Sequence, residues 1–527
     1  MKGWKPWAAL VAIVAIGLGV GRWIGNSATG TVDPELPPVT KLRAPKTERD
    51  SVIRTPKTSE RPPSQPKFDR EASELGALPG QRTITFRDAE SMRRFLEAIA
   101  GKGIAVLGSI DALNTLRVGF LNADELAALL DGTEDTGFIF PVYVPGGGSI
   151  QDGAIGFGDQ FLRWLGVEGE TMGLGKGLKI AVLDTGIAAN GQFTNKVIST
   201  NYVELPDNPA DQNGHGTAVA SLIASELGLA PDATLLSYRI ADDGGSSDTF
   251  VLAQAIIAAT DAGADLINIS LGSMSRSAIL ENAVNYAAEA GVLIVASAGN
   301  DGFNRIAYPA GYDQVIGVGA VDAKGEHLLF SNSGDVSIVA PGLALTSAWP
   351  DDQTINFTGT SASSPVVTGA IAAVMTQFRV PAATAWQMLV DSANEAGPPG
   401  DDSSYGAGVL NVGRTFDSKT TGITDLALAS NYVTTDAQGQ TVLQVTVENR
   451  GTSRIINAPV SVTTPAGSTQ LNVTTLSPGE IQTFNLPLTL GSEEIQIDSV
   501  VKVSGGGTDA NPANNRRVDV VVPAEDP

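Results

Sequence analysis

Two histidines occur in the 527 residues, and one of them, His215, stands in Asn213-Gly214-His215-Gly216-Thr217. Upstream, the run Leu178-Lys179-Ile180-Ala181-Val182-Leu183 ends on Asp184-Thr185-Gly186, and far downstream comes Gly359-Thr360-Ser361-Ala362-Ser363-Ser364-Pro365. An aspartate, a histidine and a serine follow one another, each in a glycine-flanked turn. A serine hydroxyl is a weak nucleophile at neutral pH. It needs a base within hydrogen-bond reach, and the base needs a third group to hold its tautomer. These are the parts of acyl transfer through a Ser-His-Asp triad. Each residue also has a plainer use: Asp184 as a turn residue, His215 as a structural histidine at a helix start, and Ser361, Ser363 or Ser364 as a helix N-cap. A fourth segment, Gly291-Val292-Leu293-Ile294-Val295-Ala296 followed by Ser297-Ala298-Gly299-Asn300-Asp301-Gly302, adds an amide at a strand end. A neutral amide donor there suits the charge that builds on a carbonyl oxygen; the plainer use is an Asn-Asp-Gly turn.

The elements needed to hold these groups are present in the pattern. Ile180 to Leu183 reads as a fully buried parallel strand, so Asp184 falls at a carboxyl end, where open α/β sheets place their sites. Gly216 to Ala224 and Pro365 to Met375 read as helices of small and apolar residues, with Pro365 near the first turn of the second. A cation is poorly placed at the positive end of a helix, so His215 is favoured in the neutral form that a general base requires. A serine in the same kind of position feels free backbone N–H groups that favour developing negative charge. The other histidine, His327, lies in Lys324-Gly325-Glu326-His327 and reads as a solvated loop residue.

Together with Ser270-Leu271-Gly272, Ala298-Gly299-Asn300, Phe330-Ser331-Asn332-Ser333-Gly334, Ala340-Pro341-Gly342 and Tyr405-Gly406-Ala407-Gly408, these segments resemble the subtilisin-like serine proteases, or subtilases. The resemblance runs from about Gln160 to Asn411. It implies an open parallel sheet with helices on both faces, and an endopeptidase acting on protein or peptide substrates. It further implies Asp184 orienting the imidazole, His215 as base and then acid, Ser361 as nucleophile, and Asn300 with the Ser361 N–H as oxyanion donors. Ser270, Leu271, Gly272, Ala298 and Gly299 would line the substrate cleft. Many relatives carry a second His and later a Gly where this chain has Ala218 and Ser221, positions that pack the helix. The chemistry requires no cofactor. Subtilases often bind structural Ca²⁺, to which Asp242-Asp243 and Asp351-Asp352 are candidate contributors, but no metal site is assigned from the sequence.

Around that core the chain divides into five parts. Residues 1–30 place Lys2 and Lys5 before an apolar stretch from Trp7 to Val20, an export signal. Trp4, Trp7 and Trp23 flank it as interfacial anchors, which favours an uncleaved membrane anchor over a cleaved peptide. Residues 31–78 are Pro-, Lys- and Ser-rich and read as a disordered tether. Residues 79–147 carry the order βαββαβ of a ferredoxin-like α+β unit, with a last strand from Gly137 to Val144. Placed before a subtilase domain, it resembles an inhibitory propeptide, a partner inside the same chain. The linker Pro145-Gly146-Gly147-Gly148-Ser149 then invites self-cleavage within about ten residues of Gly147. Residues 148–418 are the catalytic part. Residues 419–527 alternate with period two and suggest a seven-strand Ig-like sandwich, similar to CARDB-type modules, serving in binding or as a spacer.

Charge and cysteine content narrow the functional classes. Residues 1–70 hold 12 Lys+Arg against 6 Asp+Glu, and the remainder 22 against 51. So acidic a folded portion argues against nucleic-acid binding and suits an exported protein, secreted or held at the cell envelope. The chain has no cysteine, which excludes a cysteine nucleophile and any disulfide. A catalytically silent adhesion protein on the same scaffold is the competing expectation, and the filled catalytic positions count against it.

Overall fold

The computed structural model describes residues 39–43, 69–169, 171–193, 197–202, 211–504 and 508–522. The expected signal or anchor of residues 1–30 lies outside the described residues, as does most of the tether. Among the described residues no single helix is long and apolar enough to cross a membrane.

Seven strands form one parallel sheet in the order Ile338–Pro341, Val315–Val321, Leu293–Ser297, Leu266–Ile269, Lys179–Asp184, Thr234–Arg239, Val197–Asn201. Every neighbouring pair is parallel, in registers such as Ile180 with Leu266 and with Leu235. The alternation of a strand sends successive side chains to opposite faces, and two separate cores result. Ile180, Val182, Leu266, Val295 and Val318 join the core that holds helices His215–Ala224 and Thr360–Phe378. Ala181, Leu183, Ile267, Ile294 and Ala296 join the core that holds helices Thr249–Asp261 and Ala278–Glu289. Helix Thr360–Phe378 is buried from Thr360 to Met375, all but its last turn. This explains why its sequence shows no polar face: a helix enclosed on all sides has none to present.

Residues before the sheet form a four-stranded antiparallel sheet ordered Ile104–Ile110, Thr115–Phe120, Gln81–Thr85, Asp135–Gly137. Helices Ala89–Ala98 and Ala123–Ala127 complete its core around Ile84, Phe95, Leu116 and Val118. It docks on the helix starting at Thr249: Arg117 pairs with Asp248, the residue whose carboxylate caps that helix, and Gln254 donates to the Ser109 carbonyl. The run from Gly137 to Val144, expected as one strand, is divided. Asp135–Gly137 stays with the small sheet, while Pro141–Tyr143 pairs antiparallel with Ser246–Asp248 of the larger body. An edge of the larger body thus captures the second half of the run.

At the other end, seven strands between Leu426 and Val522 lie in two sheets that enclose one apolar core, with Leu443, Val445, Val460, Ile497 and Val521 among its members. The backbone of Val39–Arg43, inside the segment expected to be a tether without structure, pairs parallel with Arg516–Val522 at the edge of one of them. The C-terminal strands are joined to the body of the parallel sheet by a buried ionic cluster. Glu448, 2% exposed, accepts from Arg414 Nη1 at 2.6 Å, from Arg450 Nε at 2.8 Å and from the Glu395 N–H at 3.0 Å. Burial pushes the Glu448 carboxyl up, but Arg450 and Arg414 outweigh it and hold it below its usual range.

Glu395 has the opposite balance. Burial, with Glu448 and Asp402 adding to it against one N–H from Gly400, pushes its carboxyl up to about 8. An acid that holds its proton more tightly folded than unfolded stabilises the native state at low pH, and this is lost as pH rises through the folded value. The thermal midpoint is therefore expected to fall as pH climbs from about 4.5 to about 8. Glu395→Gln should remove part of that fall, which a set of melting curves across the range will measure.

Candidate active site

Asp184 ends its strand with no exposure to solvent, and a carboxylate there must be hydrogen-bonded. Its Oδ1 accepts from the Thr185 N–H at 2.8 Å and from His215 Nδ1 at 2.7 Å. The imidazole reaches it because helix His215–Ala224 starts hard against the strand end. A Cβ on Gly216 would stand 2.1 Å from the Gly186 carbonyl oxygen and 3.1 Å from Asp184 Cβ, so only glycine permits the approach. Thr185 Oγ1 accepts from the Gly216 N–H at 2.9 Å, tying the two elements together. The far edge of the imidazole meets Phe357, ring centroids 5.3 Å apart in an edge-on arrangement. Its Nε2 is buried and has no hydrogen-bond partner in this structure.

Ser361 is the second residue of helix Thr360–Phe378 and is 2% exposed. Its hydroxyl donates to the Ser270 carbonyl at 3.1 Å, so Ser361 and His215 are not hydrogen-bonded to each other here. The reverse contact has a cause in the sequence. Proline at 365 has no N–H, so the carbonyl four residues back, that of Ser361, loses its helical donor. The Ser270 hydroxyl donates to that carbonyl instead, at 3.2 Å. Ser270 is in turn held by Asn268, whose Nδ2 donates to Ser270 Oγ at 3.1 Å and whose Oδ1 accepts from Ser364 and Thr368, each at 2.9 Å. Strand and helix are thereby keyed to one another through polar side chains that are all buried.

Asn300 follows the strand Leu293–Ser297. Its Oδ1 accepts from the Thr360 N–H at 2.9 Å and the Thr360 hydroxyl at 2.8 Å, which fixes the amide and turns Nδ2 outward. That Nδ2 donates to the carbonyl of Gly146 at 3.0 Å. The segment leading to Gly146 lies as an added strand: Tyr143 exchanges both backbone hydrogen bonds with Gly272 at 3.0 Å, and the Val144 N–H donates to the Gly245 carbonyl at 2.9 Å. Backbone pairing of this kind is how clefts hold extended peptides. Beside it is a cavity of 410 Å³ lined by Gly146, Gly272, Ser273, Ser297, Gly299 and Ala307, among others. Gly272 and Gly299 thus face the cleft. Leu271 and Ala298 bury their side chains in the core behind the sheet.

Several contributors are not apparent from the motifs. Asp211, 1% exposed, accepts from Thr185 Oγ1 and the Gly214 N–H on one oxygen and from the N–H and hydroxyl of Thr217 on the other. It joins the residue after Asp184 to the residues on either side of His215. Its place four residues before His215, ahead of a helix, was the available signal. Ser221 accepts from the Ala348 N–H at 3.0 Å and donates to the Ala218 carbonyl. His327 is not a solvated loop residue. It stacks edge-on against Tyr405, its Nε2 is buried, and burial pushes the imidazole down to about 4. As for the acidic loops, Asp242 accepts from turn amides at 244 and 246, Asp243 pairs with Arg239, and Asp352 accepts from the Gly191 N–H. These donors do not converge, and among the described residues no group of three or more His, Asp or Glu gathers as a metal would need.

Residues 175–408 match the model of the subtilase family. Subtilisin DY of Bacillus licheniformis is 36% identical over 249 residues, covering 45% of this chain and 90% of its own. Subtilisin Savinase of Lederbergia lenta is 38% identical over 245 residues, again 45% and 90%. A thermostable alkaline protease of Halalkalibacterium halodurans is 37% identical over 247 residues, 46% of this chain and 68% of its own. With its parallel α/β sheet, the protein is a serine peptidase. The chain belongs to the subtilase family.

Asp211 is expected to matter through the residues it holds. Asp211→Ala should lower kcat for peptide hydrolysis by about 10²-fold, the size that a displacement near 1 Å can cause, with KM nearly unchanged. Asp211→Asn keeps one of the two acceptor oxygens and should fall in between, which steady-state kinetics on both variants will test.

Proposed function

We propose that this is an exported serine endopeptidase made as a self-processed zymogen, with Asp184, His215 and Ser361 as its triad. In this reading the Ser361 hydroxyl swings from the Ser270 carbonyl to His215 Nε2, the buried ring atom without a partner. Oγ attacks the scissile carbonyl carbon while Nε2 takes the hydroxyl proton. Asp184 holds the ring by Nδ1 and stabilises the imidazolium. The carbonyl oxygen becomes an oxyanion between Asn300 Nδ2 and the Ser361 N–H. His215 then gives its proton to the leaving nitrogen, the C–N bond breaks, and water releases the acyl group by the same steps in reverse roles.

The observation that carries the zymogen reading is the Gly146 carbonyl on Asn300 Nδ2. It supports Gly146–Gly147 as the bond cut first, inside the linker where self-cleavage is expected, so that the expected propeptide and intramolecular inhibitor of residues 79–147 ends one residue earlier, at Gly146. Residues 148–418 are then the catalytic domain, and protein or peptide chains its substrates. The basic, apolar N-terminus supports export with anchoring at the cell envelope. Residues 419–527 are read as an Ig-like, CARDB-like module for binding or spacing. No cofactor enters the chemistry, and a structural Ca²⁺ is left unassigned.

Size and N-terminal sequence of the purified protein test this reading beside Ser361→Ala. The wild type should yield a chain beginning at Gly147, and Ser361→Ala should stay whole. A whole wild type that hydrolyses no peptide would return the reading to a silent adhesion protein. In chains cut in trans by wild-type enzyme and then separated from it, Ser361→Ala should lower kcat by about 10⁶-fold and Asn300→Ala by about 10²–10³-fold; both are sizes known from subtilisin itself, and casein or peptide hydrolysis reads them.

A further inference from the structure

After Gly146 the chain keeps to the surface of the larger body. Gly148 lies so close to Phe330 that a Cβ there would stand 2.0 Å from Phe330 Cβ, so the backbone lies directly against that side chain. Three residues on, the Gln151 side chain spans the loop beside it: Nε2 donates to the His327 carbonyl and Oε1 accepts from the Leu329 N–H, each at 3.1 Å. One primary amide thus makes the pair of bonds that a neighbouring strand's peptide group would make. From Ile155 onward the backbone is part of the catalytic body, with the Ile155 N–H donating to Asp322 at 3.0 Å and the Phe157 N–H to the Leu343 carbonyl at 2.9 Å.

From these contacts we infer that Gly147–Gln151, latched by Gln151, remains in the leaving-group half of the cleft of the mature enzyme and competes there with the residues that follow a substrate's scissile bond. The inference rests on self-processing at Gly146–Gly147. Four residues reach at most about 14 Å when fully extended. A new N-terminus at Gly147 therefore stays within that distance of Gln151 for as long as the latch holds, at an effective concentration on the order of millimolar. Peptides that gain affinity from residues beyond the cut must displace it. Those that end at the cut need not. Gln151 is accordingly a specificity-determining residue for the length of substrate on that side. It touches neither the triad residues nor Asn300.

Two substrates sharing one sequence up to the cut separate the effect, one ending there in a chromogenic anilide and the other continuing for four residues. In mature Gln151→Ala, kcat/KM for the extended substrate should rise about 10-fold, the worth of two lost side-chain hydrogen bonds. The anilide should change by less than about 2-fold, which also reports that the variant is folded. An unchanged ratio of the two substrates, with the mature chain shown to begin at Gly147, overturns the latch alone. So does a mature chain that begins beyond Gln151. A chain that is never cut overturns both the latch and the processing on which it rests.

Discussion

A carboxylate wholly removed from water cannot be left to itself, and Asp184 is in that position at the end of a strand buried on both faces. One oxygen is answered by the amide of Thr185 and the ring of His215. To bring the ring there, a helix must begin within touching distance of the strand end, which requires a residue without a side chain at 216 and a loop bent to aim the helix. Asp211 supplies the bend, and four donors from the two segments it joins counter its burial, which still holds its carboxyl above the usual range. Each buried carboxylate is therefore the reason for the next constraint. The parallel sheet serves this chain of demands by fixing the strand end in a solid body whose neighbours on both sides are apolar.

The second fixed point is helix Thr360–Phe378. Apolar packing sets its depth but does not select its rotation or its position along the sheet, since small side chains slide over one another readily. Asn268 removes that freedom. It is buried in a strand where the pattern calls for an apolar residue, and it grips Ser364 and Thr368 one turn apart on the helix. Through Ser270 it also reaches the first turn, where Pro365 has left a carbonyl open. A polar residue in a core is costly when any of its bonds is missing, which is why such a network specifies a single arrangement.

Much of this was legible in the chain. Strand ends followed by glycine-rich turns announced Asp184 and Asn300, and helix starts announced His215 and Ser361, because backbone punctuation is local. The α+β unit near the N-terminus and the alternating C-terminal strands were legible for the same reason. What escaped depends on partners distant in sequence. Asn268 answers residues about a hundred positions away, and Gln151 answers 327 and 329. The run from Gly137 to Val144 looked like one strand because pairing partners are invisible to periodicity; its second half belongs with Ser246–Asp248. His327 looked solvated because its neighbours are polar, yet Tyr405, from 78 residues on, covers it.

The parallel pairing of Val39–Arg43 with Arg516–Val522 brings residues from opposite ends of the chain into one sheet. Every peptide bond between 44 and 515 then lies within a loop closed by that pairing. Cutting such a loop once does not set either piece free; it changes the order of the reaction by which the whole comes apart. An intact chain unfolds by a unimolecular process that is indifferent to dilution. A nicked one is an assembly of two molecules, held by mass action, whose integrity falls as it is diluted.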